Sequence, residues 1–311
     1  DLVRSDSRFR NFANYHFLEI QHGLNFDSRI KAPIDGNTII EQVPGLLSSK
    51  KLNITQKGIL LRYLVHLVGD LHQPLHVGNG ADRGANLCLI DLKNPKSGKK
   101  ERYNLHTTWD TNLVEMIKDE SQSAPSDSTA KKYFNYQDLV DYLDKQVAGG
   151  VISFDKEAEL KKSTVTWYGD SQSLHAMVYP DESPVNHPKN RQYCRTVEPD
   201  PKDPNNQIVV DGAFKESEIP TLKEEYLAKA FPVIKRQLYL AGLRLAKIIN
   251  ATAEKHKNLK PWSDAREKAY FDTILIQNPD VKRNPSSEKT GACSASKGEC
   301  SHKHTHAGCE H

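Results

Sequence analysis

The sequence lacks a long apolar run, a strong excess of one charge and a dense cysteine pattern. No stretch approaches the roughly 18 consecutive apolar residues of a transmembrane helix, so we predict no membrane span. Lys and Arg number 43 against 40 Asp and Glu, which gives a net charge of +3. This near-balance argues against a nucleic-acid binder that relies on many contacts between basic side chains and phosphates. Five cysteines in 311 residues are too few, and odd in number, for a disulfide scaffold.

The two ends of the chain differ in character from the region between them. The chain opens DLVRSDSRFR, without a basic and then apolar leader, so no signal peptide is visible. Residues 282–311 contain almost no large apolar side chains, and we predict that they are disordered. Three cysteines and four histidines crowd residues 293–311. This composition indicates either a metal-capturing tail or a low-complexity tail without a role.

Hydrophobic periodicity predicts a mainly α domain with one small β-hairpin. Residues 56–72 are apolar nearly all round a helical wheel, which is typical of a helix in the middle of a protein. Further helices are predicted at 107–118, 136–148, 155–178 and 221–257, and a strand at 86–92 is followed by a turn and a second short strand. Residues 180–220 hold seven prolines and are predicted to form a long surface loop. We expect one domain at 1–275 and a disordered Cys/His-rich tail at 276–311.

Histidine and aspartate recur at a spacing of four residues in two of these helices. His66 and Asp70 share one face of the apolar helix, His106 and Asp110 repeat the spacing, and the QPLH segment returns His76 towards the first pair. Single histidines of this kind are often hydrogen-bonded core residues. Five such groups together favour a divalent metal, because polar groups in an apolar setting need a partner. Mixed His and carboxylate ligands suit zinc, and their number predicts two or more ions, as used in phosphoester cleavage.

Three segments carry a resemblance to a known family: LVHLVGDLHQPLH, DRGANLCLIDL and NLHTTWDTN. They resemble the zinc-dependent single-strand-specific nucleases, which include fungal secreted nucleases, mung bean nuclease, plant bifunctional nucleases and protozoan 3′-nucleotidase/nucleases. The family shares its helical fold with the bacterial zinc-dependent phospholipase C. NYHFLEI is similar to the family's early His segment, and WYGDSQSLHAMVY and QLYLAGLRLAKIIN are similar to its last helices. The resemblance therefore extends from residue 1 to about residue 255.

The resemblance implies three zinc ions and a set of ligands for them. The first zinc would be held by Asp1, His16, His66 and Asp70, and the second by His76, His106 and Asp110. The third would be held in this chain only through Asp70, because the family's N-terminal Trp and following His are not present. We therefore expect the nuclease domain to be truncated at its N-terminus.

The resemblance also implies a mechanism, in which zinc-activated hydroxide attacks the phosphorus in line and leaves a 5′-phosphate. Asp70 and Arg4 would be catalytic, Arg4 by stabilising the transition state, although Arg4 could instead be an ordinary surface residue. Phe17 would stack on a base unless it is a core residue. Asn86 would contact the base and Asn112 the phosphate.

Two further positions in these segments carry expectations of their own. The family's Gly-Gly-Asn reads Gly84-Ala85-Asn86 here, and we expect the extra methyl group to be tolerated while substrate preference shifts. We expect His72 to orient a ligand by a hydrogen bond rather than to bind metal.

The implied protein is a secreted or periplasmic endonuclease and 3′-nucleotidase acting on single-stranded RNA and DNA, with its signal peptide in the missing N-terminal region. Two alternatives stay open, a zinc-dependent phospholipase C and a non-catalytic zinc-binding protein. No stable protein partner is implied. The sequence does not decide whether Cys88 and Cys194 form a disulfide or Cys88 is a buried free thiol.

Overall fold

The computed structural model describes residues 15–20, 35–78, 80–93, 98–121, 136–181, 191–210 and 214–254. Asp1, Arg4, the Cys/His-rich tail and the expected domain boundary at residue 275 lie outside these ranges, so the predictions about them are not tested. None of the helices in the described part of the chain has the apolar run that a membrane crossing requires.

Helices dominate the described residues, which confirms the predicted mainly α class. They are α1 (Gly36–Ser48), α2 (Ile54–Asp70), α3 (Leu105–Thr107), α4 (Leu113–Ser121), α5 (Tyr136–Ala148), α6 (Lys156–Lys161), α7 (Thr164–Gln172), α8 (His175–Val178) and α9 (Glu224–Glu254). The strands are β1 (Leu18–Glu19), β2 (Val77–Gly78), β3 (Leu89–Lys93), β4 (Lys100–Asn104), β5 (Thr196–Asp200), β6 (Asp203–Val210) and β7 (Thr221–Leu222). The helix predicted at 155–178 is thus divided into the three helices α6, α7 and α8.

Helix α2 begins at a capping box and is buried on one face. The Asn53 side chain accepts the backbone N–H of Gln56, and the Gln56 side chain accepts that of Asn53. Its core face packs on α1 and α9 through Tyr63, Leu64, Leu67 and Val68. Leu61 and Val65 are 40% and 46% exposed, so the expectation that this helix is enclosed all round is wrong. Burial on a single side leaves the opposite face, which carries His66, accessible to solvent.

The segment expected to be a long loop contains a second β-hairpin. Strands β5 and β6 pair antiparallel from Thr196 opposite Val210 to Asp200 opposite Asp203. Each is an edge strand of a two-stranded sheet, where proline is tolerated because its missing N–H need not serve a neighbour. A disulfide between Cys88 and Cys194 fastens this segment to the start of β3.

The first hairpin and the short strands set the positions of the His and Asp residues. Strands β3 and β4 pair antiparallel, and β4 leads directly into α3. Strand β1 pairs parallel with β2, with Leu18 opposite Val77, so His16 lies beside the segment that contains His76. The residues between Asp70 and His76 are anchored in both hydrophobic cores of the described chain, Leu71 in one and Leu75 in the other.

Candidate metal centre

Three side chains converge at the C-terminal end of α2, and we call this group site A: His16, His66 and Asp70. Asp70 Oδ2 lies 2.9 Å from His16 Nδ1 and 3.2 Å from His66 Nε2. The two imidazole nitrogens are 2.9 Å apart. Because His66 and Asp70 are four residues apart on α2, they face the same way, and the segment just before β1 supplies His16 from a distant part of the sequence.

A second group, which we call site B, comprises His76, His106 and Asp110. Asp110 Oδ1 lies 3.1 Å from His76 Nε2, and Asp110 Oδ2 lies 3.2 Å from His106 Nε2. The two imidazole rings stack with centroids 4.8 Å apart. Asp110 sits in a π-helical turn, Thr108–Asn112, rather than in the continuous α-helix predicted for this segment. Such turns are frequent at functional sites, and here the turn carries the carboxylate that faces both histidines.

Sites A and B adjoin each other. Asp70 Oδ2 belongs to site A, and Asp70 Oδ1 lies 3.9 Å from His76 Nδ1 in site B. The backbone carbonyl of His16 also accepts a hydrogen bond of 2.7 Å from His76 Nδ1. The structure therefore brings together six of the seven predicted ligands, and the seventh, Asp1, lies outside the described residues.

Hydrogen bonds from backbone and side chains orient the groups of site B. His76 Nδ1 donates to the His16 carbonyl and His106 Nδ1 donates to the Gly84 carbonyl, each at 2.7 Å. These bonds hold a proton on Nδ1 and direct Nε2 at the group, as metal-binding histidines usually require. Gln73 Nε2 donates to Asp110 Oδ1 at 2.8 Å. The sequence did not predict this role for Gln73, although Gln73 is the first residue of the QPLH segment that contains His76.

The donor atoms fit a divalent cation with nitrogen and oxygen ligands. Ligand atoms about 2.0–2.2 Å from a tetrahedral zinc ion lie about 3.3–3.6 Å from one another. The separations of 2.9–3.2 Å found here need to widen by only a few tenths of an ångström. In each site all the donor atoms lie within 4.8 Å of one another. The residues present thus form two candidate metal-binding groups of the His/His/Asp type.

The electrostatics of site B are dominated by the contact between carboxylate and imidazole. Burial lowers the pKa of His76, but the hydrogen bond that His76 donates to Asp110 and the charges of Asp110 and Asp70 outweigh it and raise the pKa to about 9. Burial raises the pKa of Asp110, but hydrogen bonds from His106 and His76 hold that pKa well below its ordinary value. In site A, burial lowers the pKa of His66 despite the neighbouring Asp70. A metal cation that takes the place of the proton on His76 Nε2 would be attracted by the same carboxylates, Asp110 and Asp70.

The predicted substrate residues are distributed around this centre. Phe17 follows His16 directly and is 42% exposed, so it is not a core residue. The exposed Asn86 donates its side-chain N–H to the Arg83 carbonyl at 2.8 Å. Asn112 lies in the same π-helical turn as Asp110, and its Oδ1 is buried without a hydrogen-bond partner among the described residues. An acceptor oxygen cannot bind an ionised phosphate, so only the Asn112 amide N–H groups suit the predicted phosphate contact.

The Gly84-Ala85 pair has a structural role in site B. Ala85 is fully buried in a hydrophobic core, at a φ of 64°, so its methyl group does not face the solvent-exposed side of the loop. The methyl group therefore packs in the core, and the expected shift in substrate preference stays a prediction. Gly84 has a φ of 59°, and a Cβ there would lie 2.4 Å from the Leu75 carbonyl oxygen. Glycine at this position lets the backbone pass close to the Leu75 carbonyl, and in that position the Gly84 carbonyl accepts the hydrogen bond that orients His106.

Two buried histidines outside the sites have roles in the scaffold. His72 Nδ1 donates to the Val68 carbonyl at 2.6 Å, and His72 Nε2 accepts from Arg244 at 2.8 Å. Burial and the Arg244 charge lower the pKa of His72 to about 4. These contacts join His72 to backbone and to Arg244, rather than to a ligand side chain as expected. His175, for which no role was predicted, donates to the Pro74 carbonyl at 2.8 Å and supports the turn that carries His76.

A mainly helical fold that presents two adjoining His/His/Asp groups defines a class of protein suited to binding paired metal ions. The model of the S1/P1 nuclease family matches residues 1–254, and the chain belongs to this family. The family predicted from the sequence is therefore confirmed.

Individual relatives are similar to the chain at low identity. Endonuclease 2 of Arabidopsis thaliana is 27% identical over 207 residues, which cover 65% of this chain and 53% of that protein. Nuclease S1 of Aspergillus oryzae is 25% identical over 246 residues, covering 75% of this chain and 69% of that protein. Endonuclease 1 of Arabidopsis thaliana is 37% identical over 95 residues, covering 30% and 28%. The chain thus spans about half to two thirds of the length of the first two relatives.

Proposed function

We propose that this protein is a zinc-dependent endonuclease and 3′-nucleotidase that hydrolyses phosphoester bonds of single-stranded RNA and DNA to 5′-phosphate products. The observation that carries the proposal is the adjacency of sites A and B through Asp70. Bound zinc ions would supply positive charge for the phosphate and lower the pKa of a water molecule towards 7. Membership of the S1/P1 nuclease family supports the same chemistry.

The residues of the chain perform the positioning that this reaction needs. Asp70 faces site A with one oxygen and His76 with the other, so it fixes the distance between the two groups. The backbone carbonyls of His16 and Gly84 hold the site B imidazoles with Nε2 directed inward. Asp1 is proposed as a further ligand of the first zinc and Arg4 as the group that stabilises the charged phosphate. The third zinc would be reached through Asp70.

Preference for single strands is supported by the surface next to site A. The ring of Phe17 is partly exposed beside His16, and every base offers a face on which such a ring can stack. A base in a duplex must leave its stack before it can reach this ring, which costs a few kcal/mol. Asn86 is proposed as a base contact and Asn112 as a phosphate contact.

A secreted or periplasmic location is supported by the disulfide. Cys88 and Cys194 are buried and bonded to each other, which resolves the choice between a disulfide and a free thiol. Disulfides persist in oxidising compartments and are rare in the cytosol. We propose a catalytic domain at residues 1–275 followed by the Cys/His-rich tail at 276–311.

The assay compares substrates on the zinc-loaded chain: single-stranded DNA, single-stranded RNA, 3′-AMP, duplex DNA and phosphatidylcholine vesicles. The proposal predicts cleavage of the single strands, phosphate release from 3′-AMP, and slower duplex cleavage. Headgroup release from the vesicles without nucleotide cleavage would establish the phospholipase C alternative. Zinc binding without any cleavage would establish the non-catalytic alternative.

Two carboxylate variants test whether site B takes part. Asp110→Asn removes the charge that faces both histidines of site B. It should lower the cleavage rate by more than about 100-fold, because loss of a ligand has a larger effect than the roughly 10- to 100-fold loss caused by removing a residue that only orients a ligand. Asp141→Asn is the matched control, because Asp141 is exposed on α5 and belongs to neither site. Equal activity of the two variants would exclude a role for site B.

A further inference from the structure

The C-terminal end of α2 is bonded by the His72 side chain that follows it and by side chains from two other helices, α7 and α9. The last carbonyls of a helix have no partner within it, so other groups must satisfy them. His72 Nδ1 donates to Val68 O, Ser171 Oγ donates to Leu71 O at 2.9 Å, and Gln237 Nε2 donates to His72 O at 2.8 Å. The carbonyls that accept these bonds lie within two residues of Asp70, which belongs to site A.

Arg244 holds the centre of this network. Its side chain is fully buried, and Nη1 donates to His72 Nε2 at 2.8 Å. Nη2 donates to Glu159 and to Asp170, the latter at 2.8 Å. The guanidinium carbon lies 5.2 Å from the centre of the Trp167 ring. Because a guanidinium is rigid and planar, one side can bind the two carboxylates while the other holds the imidazole.

We infer that Arg244 and His72 are positioning residues, which set the metal affinity of sites A and B by fixing the end of α2. The inference rests on the proposed metal sites and adds to them a supporting layer from α7 and α9. Within the described part of the chain, neither residue is bonded to the side chain of a predicted metal ligand. Their effect passes through the backbone, because His72 is bonded to Val68 on one side of Asp70 and the Asp70 carbonyl accepts the N–H of Gln73 at 2.9 Å on the other.

The network also reaches site B. Gln73 donates from its side chain to Asp110, and the turn that follows ends at His76. A displacement of residues 70–73 would therefore move a ligand of site A and a hydrogen-bond donor to site B at the same time. The two sites are expected to lose affinity together when the network is broken.

Two variants break the network in different ways. Arg244→Lys keeps the buried positive charge near Glu159 and Asp170, but its single ammonium group cannot also donate a hydrogen bond to His72. His72→Phe keeps a ring in the same space and removes both of its hydrogen bonds. Arg236→Gln is the matched control, because Arg236 bonds the same Glu159, at 3.1 Å, without reaching His72.

The experiment measures zinc affinity of the metal-free full chain by competition with a chelating dye, at a temperature where circular dichroism shows each variant to be folded. We expect Arg244→Lys and His72→Phe to weaken zinc binding by about 10- to 100-fold, as for other residues that orient ligands. Arg236→Gln should leave the zinc affinity within about twofold, because Arg236 is partly exposed and Glu159 keeps its ion pairs with Lys162 and Arg244. Cleavage by the first two variants should recover at saturating zinc.

The outcomes separate this inference from the proposed function. Unchanged zinc affinity in both network variants overturns the inference, and so does an equal loss in Arg236→Gln. If one network variant fails to fold, the affinity of the other decides. Failure of the proposed function would instead appear as zinc binding at normal affinity by the unaltered chain, without cleavage of any nucleotide.

Discussion

Gly84 offers a sharp test of how the backbone supports site B. In Gly84→Ala, the new Cβ would lie 2.4 Å from the Leu75 carbonyl oxygen, and φ is +59°. The left-handed conformation costs about 1–2 kcal/mol for a residue with a Cβ. Overpacking against a backbone atom adds about 1–3 kcal/mol, since the neighbour cannot rotate away as a side chain would. We therefore expect the free energy of unfolding to fall by about 2–5 kcal/mol.

Gly98→Ala is the matched control, because Gly98 has a φ of +67° but, among the described residues, no atom within 4 Å of the position of an added Cβ. It should lose only the conformational cost of about 1–2 kcal/mol. Urea unfolding of the metal-free chains measures both free energies. Zinc titration measures the affinity of site B, which should fall if the Gly84 carbonyl no longer holds His106 in place. Equal losses of stability, with unchanged zinc affinity in Gly84→Ala, would refute the proposed close approach.

Three further predictions concern the disulfide, a buried carboxylate and the tail. Replacing Cys88 and Cys194 together by serine should lower the free energy of unfolding by about 2–4 kcal/mol, because the disulfide closes a long loop; an unchanged urea midpoint would contradict this. Hydrogen bonds from Arg102 and Lys100 lower the pKa of Asp91. The Asp91 carboxylate therefore stabilises the folded chain at pH values above its ordinary pKa of 3.8, and this stabilisation is lost as the pH falls through the lowered pKa. Asp91→Asn should therefore show a smaller decline of the urea midpoint on acidification than the unaltered chain, and parallel declines would rule the effect out. Deleting residues 286–311 should weaken activity only when zinc is limiting, and equal activity at every zinc concentration would end the idea of a metal-capturing tail.

The sequence predicted the two i, i+4 pairs because helical spacing alone places them. His66 and Asp70 share a face of α2 wherever that helix lies, and the apolar residues around them identify the helix. His16 could not be joined to this pair by spacing, since its position depends on the parallel pairing of β1 with β2. The family resemblance supplied that residue.

Other features depend on tertiary contacts that leave little trace in a single sequence. Arg244 reads as one of several basic residues on a long helix, and only packing shows that it is fully buried against Glu159 and His72. The hairpin at 196–210 was missed because its prolines are typical of loops, whereas edge strands accept them. The exposed Leu61 and Val65 show that apolar composition does not by itself determine which helix faces are covered.

Sites A and B are each proposed to hold a metal ion. Crystals of the zinc-loaded chain, measured above and below the zinc absorption edge, locate those ions directly. We expect one anomalous peak bounded by His16, His66 and Asp70 and another bounded by His76, His106 and Asp110. Zinc found only elsewhere in the molecule, with neither group occupied, would contradict it.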